Sequence, residues 1–405
     1  MIRIEKALTQ PVPSDIYTIG APEDVLFFDI ETTGLSARSA GLYLIGVLTY
    51  TDKNWTLLQF FCEDVADEPA VLQAFFELLH TKKTLISYNG DGFDIPFLRH
   101  MLEQYGLPYS FDAIESFDLF KKFRPLKRLL NLPDLKLKSC ERFLGIDRED
   151  RFTGGELIEV YFEWQKTKAP ALLDTLLLHN AEDIANLPNL LPLLRYRALP
   201  HSDFQLRAHE RLQDADTPLV HLSFTLLSPM SSSAHAPAEN DAREVTDACG
   251  QHCPDAGGNG AREVMDDRRP HWPAPALPRP MDLRGDFWAL HAEGSAVELY
   301  VQLFEGERKL FFTDFEHYYY LPAEDQVIHQ SLAEFVDRSA RKKACARNCY
   351  QRVTGCFLPE CSEVYTPALQ AEYRDKLRYA QYSDALFDDE VKAAAYLKSF
   401  LEAAL

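Results

Sequence analysis

Residues 25–35 read Val-Leu-Phe-Phe-Asp-Ile-Glu-Thr-Thr-Gly-Leu. Apolar side chains stand on both alternating faces of 25–31, the pattern of a central strand covered on both sides rather than an edge strand. With a period of two, Asp29 and Glu31 share a face with Val25 and Phe27. Two carboxylates at the end of a buried strand are costly unless a cation compensates them. A hard divalent ion that prefers oxygen ligands does this well. A second reading stays open: Thr32-Thr33-Gly34 marks a strand exit, and both acids then simply meet water.

Two further motifs carry acids in comparable settings. Segment 84–89 (TLISYN) predicts a strand, and 94–105 a helix with Pro96 in its first turn and Gly106 as its stop. Asp94 falls where the N-cap of that helix is expected, and capping alone would account for it. Gly90 and Gly92 let the chain turn sharply beside it. Residues 170–190 predict a longer helix beginning at Pro170. Leu172, Leu176, His179, Asp183, Leu187 and Leu190 recur on it at spacings of three and four and form one stripe. His179 and Asp183 lie one turn apart and point the same way. Inside a leucine stripe both need partners, either a structural pairing with each other or a metal site.

In this order the motifs resemble the DEDD exonucleases of the RNase H-like superfamily. The match consists of Asp29-x-Glu31, Asn89-x-x-x-Phe93-Asp94, and Asp183. Within that superfamily the chain is similar to the bacterial YprB-type RNase H-like exonuclease domain, related to the proofreading domains of family B polymerases. LPDLKLKSCERFLGI (132–146) and DRFTGGELIEVYFEW (150–164) share the likeness, which covers about residues 20–195. It implies that Asp29, Glu31, Asp94 and Asp183 bind two Mg²⁺ or Mn²⁺ ions and that nucleotides leave from a 3′ end, with a single-stranded 3′ end of nucleic acid as partner. One departure matters. The superfamily orients its attacking water with a Tyr four residues before the last Asp or a His five before it; His179 combines the Tyr spacing with the His chemistry. A neutral imidazole can take the water's proton near neutral pH. Thr32, Thr33, Asn89, Phe93, Lys136 and Lys138 are the candidate nucleic-acid contacts.

Strands at 24–31, 42–50 and 54–61 predict an antiparallel meander, followed by a helix at 69–80 with Val71, Leu72, Phe75, Phe76 and Leu79 on its apolar face. The expected fold class is α/β: an RNase H-like mixed sheet flanked by helices over 1–200, with a smaller C-terminal α+β domain. That second domain takes 201–227 and 282–405, with strands at 217–227, 286–292, 296–304 and 308–315 and helices near 326–343 and 388–403. Between its parts, 228–281 holds 8 of the chain's 24 prolines and no Ile, Phe or Tyr, so a disordered linker is expected. DAREVTD (241–247) and GAREVMD (260–266) inside it read as a local duplication.

A net charge of −20 counts against tight non-specific nucleic-acid binding. Residues 117–142 run the other way, with eight Lys or Arg against three acids, and form either a phosphate path or an ordinary solvated face. Residues 338–352 carry six basic side chains and no acid. Tyr318–Tyr320 reads as core or as a base-stacking platform. Cys345, Cys349, Cys356 and Cys361 sit at gaps that do not match paired zinc spacings. No apolar run is long enough to span a membrane and no signal peptide is visible, so a cytoplasmic protein is expected. Two other functions remain in play. One is a catalytically silent RNase H-like module that binds nucleic acid, and the other is a scaffold that recruits protein partners.

Overall fold

The strand that carries Asp29 and Glu31 is buried inside a six-stranded sheet. The computed structural model describes residues 1–214, 217–227 and 276–404. The sheet comprises β1 (Ile2–Ala7), β2 (Val25–Thr32), β3 (Leu42–Thr51), β4 (Asn54–Phe61), β5 (Thr84–Ser87) and β6 (Glu115–Asp118), in the spatial order β1-β4-β3-β2-β5-β6. The β2–β4 meander is antiparallel, while β5 and β6 run parallel to β2. This is the expected mixed sheet; β1, paired antiparallel with β4, lacked a sequence signal.

Helices cover both faces. On one, Leu26, Phe28 and Ile30 pack against α1 (Glu68–Leu79) and α2 (Asp94–Tyr105). Val71, Leu72, Phe75, Phe76 and Leu79 of α1 are fully buried, a gross contribution on the order of 10 kcal/mol before ordering costs. Helix α2 stops at Gly106, which takes the left-handed conformation at φ +62. The opposite face carries Val25 and Phe27. It is covered by α3 (Leu119–Phe123), α4 (Leu126–Leu129), α5 (Leu137–Leu144), α7 (Pro170–Leu190) and α8 (Leu194–Ala198). Between α5 and α7, α6 (Gly154–Thr167) packs Leu157, Tyr161 and Trp164 on Tyr43, Leu44 and Phe61.

Helix α7 lies unusually close to the sheet because Gly46 sits beneath it. Gly46 pairs across β2/β3 with Asp29, and a Cβ there would lie 2.0 Å from Asn180 Oδ1 and 2.1 Å from Ile184 Cδ1. The missing side chain therefore sets the depth at which α7 delivers its polar residues.

Beyond α8, β7 (Phe204–Asp214), β8 (Thr217–Leu226), β9 (Met281–Arg284), β10 (Trp288–Glu293) and β11 (Ala296–Gln302) form an antiparallel sheet in the order β7-β8-β11-β10-β9. Val297, Leu299, Val301 and Leu303 all face its core. The strand expected at 308–315 is β12 (Phe304–Phe311). Two three-stranded sheets follow. The smaller contains β13 (Tyr318–Leu321), β14 (Gln326–His329) and β15 (Lys342–Lys343), and the larger joins β12 to β16 (Tyr350–Glu360) and β17 (Arg378–Gln381). Helix α9 (Glu390–Ala404) closes the chain against β7. No helix among the described residues is long and apolar enough to cross a membrane.

Two expectations need correction. The helix near 326–343 does not form. Gln326–His329 pairs with Tyr318–Leu321, and short turns follow in which His329 and Asp337 accept the Ser331 and Ser339 N–H groups. Such local side-chain bonds compete with helix. The supposed linker also ends too late. Residues 228–275, with Cys249, Cys253 and the duplicated heptapeptides, lie outside the described residues, but 276–281 are packed. Leu277 is buried, the Arg195 guanidinium donates to Ala276 O, and Arg279 donates to Leu144 O beside Gly145.

Gly46→Ala is expected to destabilise the protein by roughly 1–3 kcal/mol, because Asn180 and Ile184 must retreat from an inserted methyl. Chemical denaturation checks this; unchanged stability would mean that α7 is not held against the sheet at this point.

Candidate active site

The carboxyl end of β2, the N-terminus of α2 and the middle of α7 meet at one place. A bulge in β2 between Glu31 and Thr32 turns the strand where its acids emerge. Asp94 is the first residue of α2 rather than its cap, and its Oδ1 accepts the Ile30 N–H at 3.2 Å. This single bond fastens the second motif onto the first. From α7, His179 Nε2 stands 3.7 Å from Glu31 Oε1 and 3.4 Å from Asp183 Oδ2. One ligand atom each from Glu31, His179 and Asp183 lies within 4.8 Å of the others, the only such grouping of three among the described residues. The C-terminal cysteines form no comparable group.

The carboxylates repel one another. Burial raises the Asp29 carboxyl well above its usual range, and the charges of Asp94, Glu31 and Asp183 add to it. Burial, then Asp183 and Asp94, does the same to Glu31. Asp94 is raised chiefly by burial, against which the Ile30 N–H pulls down. Frustrated buried acids of this kind fit a hard divalent ion such as Mg²⁺ or Mn²⁺, since oxygen donors and excess negative charge are what such ions require.

Neighbours hold the donors in place. Asn180 Nδ2 donates to Asp29 Oδ2 at 3.2 Å, and Gln59 Nε2 donates to Asn180 Oδ1 at 3.0 Å. The Tyr43 hydroxyl reaches Glu31 Oε2 at 3.4 Å. His179 Nδ1 lies 2.8 Å from Asp150 Oδ2, and Lys138 Nζ meets the same oxygen at 2.9 Å. Burial works to raise the Asp150 carboxyl, but Lys138, the Phe152 N–H and His179 outweigh it and hold it below the usual range. The Asp150 contact at Nδ1 orients the ring so that Nε2 faces Glu31 and Asp183. Arg148, almost fully buried, pairs with Asp183 and with both carboxylate oxygens of Glu141 at 3.2 Å. Burial works against its charge, and Asp183 and Glu141 prevail.

The six candidate nucleic-acid contacts are placed less uniformly. The Thr32 hydroxyl donates to Gly34 O, and Thr33 Oγ1 accepts the Gly41 N–H, so both brace the loop after β2. Asn89 is exposed at φ +65 and donates its N–H to Asp118 Oδ1. Phe93 packs beside Phe97, with ring centroids 5.7 Å apart. Lys136 is exposed at the start of α5. Lys138 turns inward to Asp150 and Phe152 O instead of standing free. Asp150, Arg148, Asn180 and Gln59 escaped the motif reading. Asn180 adjoins His179, yet only the close approach over Gly46 brings it to Asp29.

Residues 26–195 match the model of the RNase H superfamily. This segment is an RNase H-like domain. Among solved structures, similar ones include the family B DNA polymerase from the hyperthermophilic archaeon Pyrobaculum calidifontis, at 18% identity and TM-score 0.35 over 45% of this chain and 26% of that one. An apo form of a nuclease matches at 18% identity and TM-score 0.29, over 44% of this chain and 75% of that one. A zinc-bound E. coli ExoI–ssDNA complex matches at 16% and 0.26, over 50% and 54%. The chain thus spans about a quarter of the polymerase's length and about half of ExoI's. No curated protein matches the sequence.

The raised acids of the RNase H-like domain fix the sign of a pH effect. A carboxyl whose folded pKa exceeds its unfolded value adds stability at low pH and loses it as pH rises through the folded value. In chelator, stability is therefore expected to fall between pH 5 and pH 8. Asp94→Asn, which keeps an acceptor for Ile30, should stabilise the chelated protein at pH 8 by roughly 1–3 kcal/mol. Denaturation at the two pH values tests this, and destabilisation by Asp94→Asn at pH 8 would show that the acids are not frustrated.

Proposed function

We propose that this chain is a divalent-metal-dependent 3′→5′ exonuclease of the DEDD type, hydrolysing phosphodiester bonds of DNA or RNA. One observation carries the reading: ligand atoms of Glu31, His179 and Asp183 lie within 4.8 Å of one another, and Asp29 and Asp94 are close enough to add their charges. Those four carboxylates would hold two Mg²⁺ or Mn²⁺ ions. When bound, such ions sharpen a water molecule into a nucleophile and stabilise the leaving oxygen. The rest falls to the protein. Asp150 orients His179 so that Nε2, which lies beside Glu31 and Asp183, would take the water's proton. Asn180 and Tyr43 keep Asp29 and Glu31 aimed into the site. Thr32, Thr33, Asn89, Phe93 and Lys136 would lie along the approach of a single-stranded 3′ end, whereas Lys138 serves through Asp150.

Residues 1–200 would form the exonuclease unit, with 201–227 and 282–405 an accessory unit. The reaction needs nucleic-acid ends and free divalent cations, which the cytoplasm supplies, and that is the proposed location.

A catalytically silent RNase H-like binding module is the second reading. It is favoured by Arg148, which already gives Asp183 a cation. Incubating the protein with 5′-labelled DNA and RNA oligonucleotides, with Mn²⁺ or with chelator, separates the two. A ladder shortening from the 3′ end with Mn²⁺ alone is expected, and Asp29→Ala should slow it by on the order of 10³-fold or more. Intact strands after prolonged incubation would favour the silent module. Asp150→Asn should lower kcat roughly 10–100-fold with KM little changed; an unaffected kcat would remove Asp150 from the mechanism.

A further inference from the structure

The basic stretch noted in the sequence becomes a definite surface once folded. Helices α3 and α4 and the turn after them enclose an open groove of about 570 Å³. Phe120, Leu132 and Leu135 supply apolar walls, and Arg124, Lys127 and Arg128 stand around them. All three cations are exposed, and among the described residues none forms an ion pair. In the same basic run Lys121 is held by Asp91 and Lys138 by Asp150, whereas Lys122, Lys136 and Arg142, like these three, form no ion pair among the described residues. In a chain of net charge −20, three unpaired cations around one apolar hollow mark the place where a polyanion is attracted rather than repelled.

The groove also adjoins the proposed active site. The Tyr88 hydroxyl donates to Leu135 O at 2.6 Å, and the Tyr88 ring lies 6.1 Å from that of Phe120. Tyr88 leads directly into Asn89, whose N–H is held by Asp118 at the start of α3. The loop that ends in Asp94 is thus anchored on the groove's wall at one end and on β2 at the other.

We propose that this groove is a second nucleotide-binding subsite, which takes an internal stretch of a single strand whose 3′ end occupies the carboxylate pocket. Bases lie against Phe120, Leu132 and Leu135, and phosphates meet Arg124, Lys127 and Arg128. A single strand is favoured over a duplex because the apolar surface is useful only to unpaired base faces. The role in catalysis rests on the exonuclease reading, but the binding site itself does not.

The test uses the full chain and the combined variant Arg124→Gln, Lys127→Gln, Arg128→Gln, with binding of fluorescent oligothymidylate followed in chelator. For a fifteen-nucleotide strand, affinity should fall roughly 10- to 100-fold, and the plot of log K against log salt should flatten by about 2. Mn²⁺-dependent cleavage of a trinucleotide, too short to span both places, should be unchanged. Equal affinity and slope in wild type and variant would overturn the proposal. So would an equal loss for an oligoglutamate of the same charge, which would reassign the groove to acidic protein segments. If no oligonucleotide is cut at all, the exonuclease reading fails, while the binding measurement still decides the groove.

Discussion

Mutual repulsion among buried carboxylates is the constraint around which the N-terminal half is organised. Burial raises the proton affinity of Asp29, Glu31 and Asp94; Glu31, Asp94 and Asp183 add to that of Asp29, Asp183 and Asp94 to that of Glu31, and Asp183 to that of Asp94. Left alone, such a group would drift apart or protonate. The fold prevents drift by using unrelated elements as clamps. A sheet strand supplies two acids, a helix N-terminus bonded to that strand supplies the third, and α7 pressed over Gly46 supplies the fourth. Hydrophobic packing on both sheet faces holds these elements against the electrostatic cost.

Relief of that repulsion is uneven. Arg148 balances Asp183 and Glu141 from the rear, and Lys138 balances Asp150, so the outer acids are compensated. Among the described residues Asp29 and Glu31 receive hydrogen bonds only from neutral donors, Asn180 and Tyr43. Uncompensated charge is therefore concentrated at the end of β2, where the proposed ions would bring the most stabilisation. His179 bridges the two groups: its Nδ1 faces the charge-balanced Asp150, and its Nε2 lies between the compensated Asp183 and the uncompensated Glu31.

Much of this was legible in the chain itself. Alternation in 25–31 gave a doubly covered strand and the face of its acids, and the leucine stripe of 170–190 marked His179 and Asp183 as inward-pointing. Both signals are periodic, and periodicity survives into three dimensions whenever packing decides orientation. What escaped notice is not periodic. Asp150 and Arg148 lie in the run IDREDR (146–151), where charge reads as solvated surface, yet α7 comes close enough to bury Arg148. Gly46 reads as an interruption of an apolar strand, and only the neighbouring helix reveals its use. The same limit applies to 326–343, where His329 and Asp337 side chains accepting backbone N–H groups replaced a helix.

Saturable Mn²⁺ binding, followed by electron paramagnetic resonance on the metal-free protein, tests the central claim most directly. The account predicts two bound ions per chain in the wild type, with binding lost when Asp29→Asn and Asp183→Asn are combined in a protein that remains folded. Absence of saturable binding in the wild type, or equal binding in the double variant, would contradict it.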